Sequence, residues 1–440
     1  MKKDLIIIGA GPGGYELALA ASKKGLTTLL IEEEKVGGTC LHSGCIPTKT
    51  FYHSAKIIKD ILSIDEFGIN GKFEFDFSKA KAKKEAVIDT LHKGIQFQLK
   101  SRNVETIYGR AKLKSNTEVI VNDEVYSATN IVIATGSSSI KLNLPGFDNK
   151  NIITSTELLN IKDIPKHLVV IGGGVIGIEL ASIFNYFGST VEVIEAQDRI
   201  LPLIDKEISK RLTAYLKSAG IKFHLSSKVV GVEGNKVYFN SKDEVVHTNF
   251  DKLLLSIGRK PNVDDLGLDD VGIVYSNKGI TVDKNFCTNI SNIYAIGDVT
   301  GKMMLAHTAT YSGYKVLSHI LGEDKEIDFN LVPNCIFTFP EVAGIGLSEE
   351  EVKGVDYKVS KFLFKANGKA HSMNSVDGFV KIISFDDKIL GVHIIGPSAS
   401  DIIHEAAILM NANMGVEAAK NIIFAHPTLS ETLGGAILEL

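Results

Sequence analysis

Cysteine is scarce in this chain: four among 440 residues, at Cys40, Cys45, Cys287 and Cys335. So few cannot staple a chain of this length into a disulfide scaffold, and its folding must rest on buried cores. No second Cys/His pair at ligand spacing accompanies Cys40 and Cys45, which argues against zinc or any other metal. Long apolar runs are missing too, since none reaches the roughly 18–20 residues a membrane span needs. Lys2 and Lys3 ahead of an apolar run hint at a signal peptide, but that run stops at Ile8 in a glycine-rich turn. The expectation is a soluble, unexported, cytoplasmic protein. The net charge of −4 gives no excess of either sign to attract nucleic acid or an anionic membrane. Low-complexity stretches and array repeats are absent as well. With 44% hydrophobic and 23% charged residues, the chain is suited to two to four globular domains.

What is present is one local pattern, used twice. Asp4 to Ile8 reads as a strand, Gly9, Gly11 and Gly14 as a tight turn, Tyr15 to Lys24 as a helix, and Thr27 to Glu32 as a strand ending in an acid. Far downstream the order recurs: a strand from His167, then Gly172, Gly174 and Gly177, a helix through Phe187, and a strand from Thr190 to Glu195. In each Gly-x-Gly-x-x-Gly the first glycine makes the turn and the second lets the backbone approach a pyrophosphate. The third lets helix and strand pack closely. The helix N-terminus adds N–H groups and partial positive charge for the phosphates. Glu32 and Glu195 stand equally far past the third glycine, where a carboxylate accepts hydrogen bonds from an adenosine ribose. One such motif alone would be weak. Strand, helix and terminal acid together predict two Rossmann-like α/β domains. Glu195 would repel the 2′-phosphate of NADP and so favours NAD, although Arg199 follows closely.

Cys40 and Cys45 lie in the stretch Gly37 to Lys49, just after the first βαβ unit. Two thiols so spaced on a helix are expected as neighbours on one face, close enough for a disulfide. A helix N-terminus would lower a thiol pKa and favour the thiolate. The chemistry needs two distinct sulfurs, one to attack a substrate disulfide and one to pass electrons on. The plainer alternative is a structural disulfide or two buried thiols. Near the other end, His426-Pro427-Thr428-Leu429-Ser430-Glu431 offers a histidine and a carboxylate to orient it, which suits proton transfer near neutral pH. Without a partner site, the same residues read as an ordinary helix start.

Gly37 to Lys49, with Thr39 among them, resembles the redox-active motif of the pyridine nucleotide–disulfide oxidoreductases, a family of homodimeric FAD enzymes. The resemblance covers nearly the whole chain. It implies FAD on the first fold and the nicotinamide cofactor on the second. Ala134-Thr135-Gly136 is similar to the crossover segment of the FAD domain. Gly297-Asp298 is similar to the second flavin motif, whose Asp bonds the ribityl chain. Lys49 and Glu179 resemble an ion pair near flavin and nicotinamide, and Gly258 joins the nucleotide-binding candidates. Glu179 read alone would be an ordinary helix-surface acid. Pro340 to Ala343 resembles the start of a dimerisation domain. His426 and Glu431 are implied as a catalytic dyad reaching across the dimer to the partner's disulfide. Cys287 and Cys335 read as structural, as do His42 and His307.

Absences also narrow the branch. The mercury-reducing members carry an extra C-terminal cysteine pair, whereas this chain ends Gly434 to Leu440 without one. The NADP-linked reductases of glutathione and trypanothione carry basic residues where Glu195 stands, and soluble transhydrogenases lack the cysteine pair. The remaining branch oxidises dihydrolipoyl groups with NAD, and Val193 to Pro202 is similar to it. A lipoyl-bearing domain of a multienzyme complex or of a glycine cleavage system is the implied partner. The alternatives are a reductase of another small disulfide, a diaphorase-type electron-transfer flavoprotein, or a subunit docked to a multienzyme core. Phe424 and Tyr311-Ser312 depart from the family's usual His and Glu. The expected order is FAD domain 1–145, NAD domain 146–265, a return to the FAD domain over 266–329, and an α+β dimerisation domain over 330–440.

Overall fold

The computed structural model describes every residue except Met1, Asp243, Asp324, Lys353 and Val355. The chain divides into two compact units, each assembled from discontinuous stretches. One comprises Met1–Thr50, Ser78–Ile140 and Gly258–Ile327; the other comprises Phe51–Phe77, Lys141–Ile257 and Asp328–Leu440.

The first unit is built on β1 (Lys3–Ile8), α1 (Pro12–Lys23) and β2 (Thr28–Glu32), as the repeated pattern predicts. Its parallel strands run in the spatial order Glu105–Tyr108, β2, β1, Glu124–Ile133, Ile293–Ala295. Ile6, Ile8, Leu29, Ile31, Ile131 and Ile293 are all fully or nearly buried, because helices or loops cover both faces of a parallel sheet. The charged stretch from Phe77 is one long helix, Phe77–Ser101. Downstream of β2 come two further helices, α2 (Gly38–Ser43) and α3 (Cys45–Ile61).

The second unit repeats the device. Strands Lys222–His224, Thr190–Ile194, His167–Ile171, Lys252–Leu255 and Ile152–Ile153 lie in that order, all parallel, with the helix Val175–Tyr186 after the glycine turn. An antiparallel sheet, ordered Asn334–Ile336, Glu341–Gly346, Lys388–Gly396, Phe379–Phe385, Lys358–Leu363, forms the C-terminal part. The helices Ala399–Asn411 and Glu431–Leu438 cover it through Ile402, Ile403, Leu433 and Ile437. The 51–77 stretch belongs here through its rings. Phe51 meets Phe77 and Phe187 at 5.7 and 5.6 Å, and Tyr52 stacks on Phe339 at 4.7 Å. Among the described residues, no helix is long and apolar enough to cross a membrane.

Candidate functional site

The two glycine turns are near copies. Gly9 and Gly172 have φ of 102° and 104°, a left-handed conformation that disfavours any side chain. A methyl group on Gly14 would run into Gly9 O, and one on Gly177 into Gly172 O. The third glycine of each motif therefore lets helix and strand close up. Gly11 and Gly174 have nothing within 4 Å of where a Cβ would stand. Each caps its helix without a side-chain hydrogen bond, so the first N–H groups are left for a ligand. These cradles fit the pyrophosphates of FAD and NAD.

The terminal acids brace the turns. Glu32 accepts from Ala10 N at 2.7 Å and Glu34 N at 2.9 Å. Glu195 accepts from Gly173 N at 2.5 Å and Gln197 N at 2.7 Å. A carboxylate has about four acceptor positions, so both retain capacity for ribose hydroxyls. Arg199 is turned elsewhere: it donates to Glu350 Oε1 at 3.0 Å and Pro202 O at 2.8 Å.

The thiols correct the sequence expectation. Cys40 and Cys45 do not share a helix face, because they do not share a helix. Cys40 lies in α2, Gly44 follows that helix with φ −137° and ψ −109°, and Cys45 opens α3. On one continuous helix five positions would put them roughly 140° apart around the axis. The break at Gly44 is what brings the thiols within hydrogen-bonding reach. A Cβ at Gly44 would lie 2.9 Å from Thr39 O, so the break suits glycine. Cys40 is also not a lowered thiol here. Its hydrogen bond with Cys45 pushes it up, as do burial and the negative charge of a Cys45 thiolate, while the Lys49 ammonium pulls it down. Two sulfurs this close lose protons as a pair, and the second ionisation is costly. Lys49 stands one turn after Cys45 on α3, on the same face.

The segment from Gly37 sits against the first glycine turn. Gly37 N donates to Ala10 O at 2.8 Å, and a Cβ on Gly38 would come 2.7 Å from Gly11 Cα. Ala134 N donates to Ile8 O at 2.7 Å, Thr135 bonds reciprocally with Asn262, and Gly136 O accepts from Asn262 N at 3.0 Å. Asp298 accepts from Ser137 Oγ at 2.5 Å. Arg259 in turn holds Ser137 through Oγ at 2.7 Å and O at 2.5 Å, and lies 3.9 Å from Asp298. Gly297, at φ 70°, leads into Asp298 and faces Ala309. Gly258 O accepts from Ile140 N at 3.1 Å, within the same unit. Arg259, Ser137 and Asn262 have no role in the sequence reading. The one pointer to them is the Gly258-Arg259-Lys260-Pro261 stretch, which gives no hint of Ser137 as partner.

In the second unit Glu179 is buried at 4% exposure rather than lying on a helix surface, and accepts from Phe337 N at 2.9 Å. His426 Nδ1 lies 2.9 Å from Glu431 Oε1. The other oxygen of Glu431 accepts from Thr428 N at 2.8 Å, and these two bonds hold its carboxyl below the usual range. The His426 side chain is 78% exposed, so its Nε2 edge is open to a reactant. Cys287 Sγ donates to Ser291 O at 3.4 Å, and Cys335 Sγ donates to Ser400 O at 3.7 Å. His42 Nε2 bonds Val36 O at 2.9 Å, and His307 is the second residue of the helix Ala306–Ile320.

Residues 3–313 match the family model described as pyridine nucleotide-disulphide oxidoreductase, and residues 332–437 match its dimerisation domain. A dihydrolipoyl dehydrogenase of Bacillus subtilis is 39% identical over 99% of this chain and 98% of its own length. One from Chlamydia muridarum is 41% identical over 97% and 94%. A leghemoglobin reductase of Vigna unguiculata is 40% identical over 99% and 87%. Among solved structures, the Cu(II) complex of the HOCl-induced flavoprotein disulfide reductase RclA from Escherichia coli is similar at a TM-score of 0.89. It is 30% identical and covers 100% of this chain and 99% of that one.

Proposed function

Since the chain belongs to the pyridine nucleotide-disulphide oxidoreductase family, we propose that it is an FAD-dependent dihydrolipoamide dehydrogenase that passes hydride to NAD. The observation that carries this reading is the Cys40/Cys45 pair, set by the Gly44 break beside the first glycine turn. The enzyme works as a homodimer in the cytoplasm, and a lipoyl-bearing protein domain presents the substrate.

The chain's own groups divide the work. A dihydrolipoyl thiolate attacks Sγ of Cys40 in the Cys40–Cys45 disulfide; a mixed disulfide forms and Cys45 leaves as a thiolate. The second substrate thiol then closes the lipoyl disulfide, and its proton passes to the sulfur of the departing Cys40. His426 accepts the substrate proton at Nε2, and Glu431 on Nδ1 fixes the ring and stabilises the imidazolium. The dyad of each subunit serves the disulfide of its neighbour. Gly9, Gly11, Gly14, Glu32, Thr39, Lys49, Ala134, Thr135, Gly136, Gly297 and Asp298 hold FAD, and Gly172, Gly174, Gly177, Glu179, Glu195 and Gly258 serve the nicotinamide side. FAD, when bound, supplies the two-electron chemistry that links thiols to hydride.

Replacing Cys40 by Ser and, separately, His426 by Gln tests this division. His426→Gln should cut dihydrolipoamide oxidation by about 10²–10⁴-fold. Cys40→Ser should abolish it, and both variants should keep NADH-driven dye reduction. Lipoamide turnover surviving the loss of Cys40 would contradict the reading.

A further inference from the structure

Glu195 decides only part of nucleotide choice in the second fold. Arg199 lies on the same loop, where a guanidinium released toward the ribose would welcome a 2′-phosphate through paired N–H donors. The loop backbone leaves it little freedom. Leu201 takes a φ of 48° and donates to Gly173 O at 2.8 Å, so the loop is pinned to the glycine turn. Ser209 Oγ bonds Ile200 O at 2.6 Å, and Asp205 closes the loop as N-cap of the helix Lys206–Ser218. With the backbone held, the direction of Arg199 depends on which acceptors its guanidinium finds. It finds Pro202 O at 2.8 Å and, from the C-terminal part of the chain, Glu350 at 3.0 Å. Both charged side chains are partly shielded, at 23% and 32% exposure, so the pair is better defined than a freely solvated one.

We infer that the Arg199–Glu350 ion pair is a specificity-determining element: it turns the arginine away, so that an adenosine ribose meets Glu195 alone. A 2′-hydroxyl then has a carboxylate acceptor, and a 2′-phosphate meets repulsion with no compensating cation. The inference rests on the assignment of the second fold to the nicotinamide cofactor.

The test uses oxidised holoenzyme carrying Glu350→Gln, Arg199→Met, or both. NAD and NADP dissociation constants are read by equilibrium titration, and flavin bleaching by NADH and NADPH is followed in parallel. None of these readouts needs a disulfide substrate, so failure of the lipoamide assignment would register separately. Glu350→Gln should narrow the NAD-over-NADP preference by roughly three- to five-fold, the weight of one partly exposed charge contact. The double variant should lose that gain, and Arg199→Met alone should leave the preference unchanged. An unchanged preference in Glu350→Gln, or a gain that persists without Arg199, would overturn the inference. So would a changed preference in Arg199→Met alone.

Discussion

The two glycine-turn folds share one grammar, yet the chain treats them differently. In the first fold, later segments close over the turn. Gly38 packs on Gly11, a Cβ at Gly13 would meet Ala309 at 3.1–3.3 Å, and one at Gly313 would lie 3.2 Å from Gly13 O. In the second fold the position matching Gly13 is Ile176, and the atoms nearest a Cβ at Gly173 would be those of Glu195 and Ile200, on its own loop. A turn enclosed by the thiol-bearing segment suits a resident cofactor that must stay beside the sulfurs. A turn left open suits a co-substrate that arrives and leaves each cycle. A motif of this kind specifies what is bound, while the packing around it specifies for how long.

The sharpest way to break this comparison is to fill the third glycine of each motif. Gly14→Ala and Gly177→Ala both force a methyl group into a backbone carbonyl. Overpacking of this kind costs about 1–3 kcal/mol through forced backbone shifts. Gly14→Ala should yield protein that loses its yellow colour on gel filtration. Gly177→Ala should stay yellow and fail to bleach with NADH. Equal flavin loss in both would show that the folds are not separable.

A smaller effect is expected at the second glycines, where a side chain meets no protein atom. Gly11→Ala and Gly174→Ala should fold normally by thermal denaturation and weaken only their own nucleotide. The Gly174 variant should raise KM for NAD while leaving KM for dihydrolipoamide near the wild-type value. A melting temperature lowered as far as in the third-glycine variants would show that the open space is not reserved for a ligand.

The smallest expected effect tests how firmly the second fold is seated on the C-terminal sheet. Lys381, fully buried, reaches Asp205 at 3.0 Å and Glu349 at 2.5 Å. Burial alone would raise the Asp205 carboxyl, but the Lys381 ammonium outweighs it and holds the group below the ordinary range. A carboxyl lowered on folding adds stability above its unfolded pKa and loses it as pH falls through the folded value. Urea midpoints should therefore drop on acidification below about pH 4, the unperturbed Asp range. Asp205→Asn should be less stable at neutral pH, and its midpoint should fall less steeply with acid. Parallel acid limbs in the two proteins would remove Asp205 from the account.

Local grammar is legible in the sequence; long-range partnership is not. Gly9 and Gly172 announce themselves because a positive φ beside a strand and a helix is a local demand. The Cys pair is readable as chemistry but not as geometry, since residue spacing does not reveal that Gly44 separates two helices. Arg259 and Ser137 lie 122 positions apart, and no periodicity links them. Glu179 is the one charged residue on the helix Val175–Tyr186, and only the fold shows that Phe337 N donates to it. Arg199 is visible as a complication, while the acceptor that takes it up, Glu350, comes from a distant part of the chain.

The central claim is that dithiol, flavin and NAD form one electron path through this chain. Steady-state NAD reduction by dihydrolipoamide on the purified yellow protein tests it most directly, beside NADPH-driven glutathione disulfide reduction and a Cys45→Ser control. The account predicts fast NAD-linked turnover that vanishes in the control and no glutathione reductase activity. Protein that ignores dihydrolipoamide while NADH still bleaches its flavin would contradict it, and would direct attention to Phe424 and Tyr311 as marks of a different disulfide substrate.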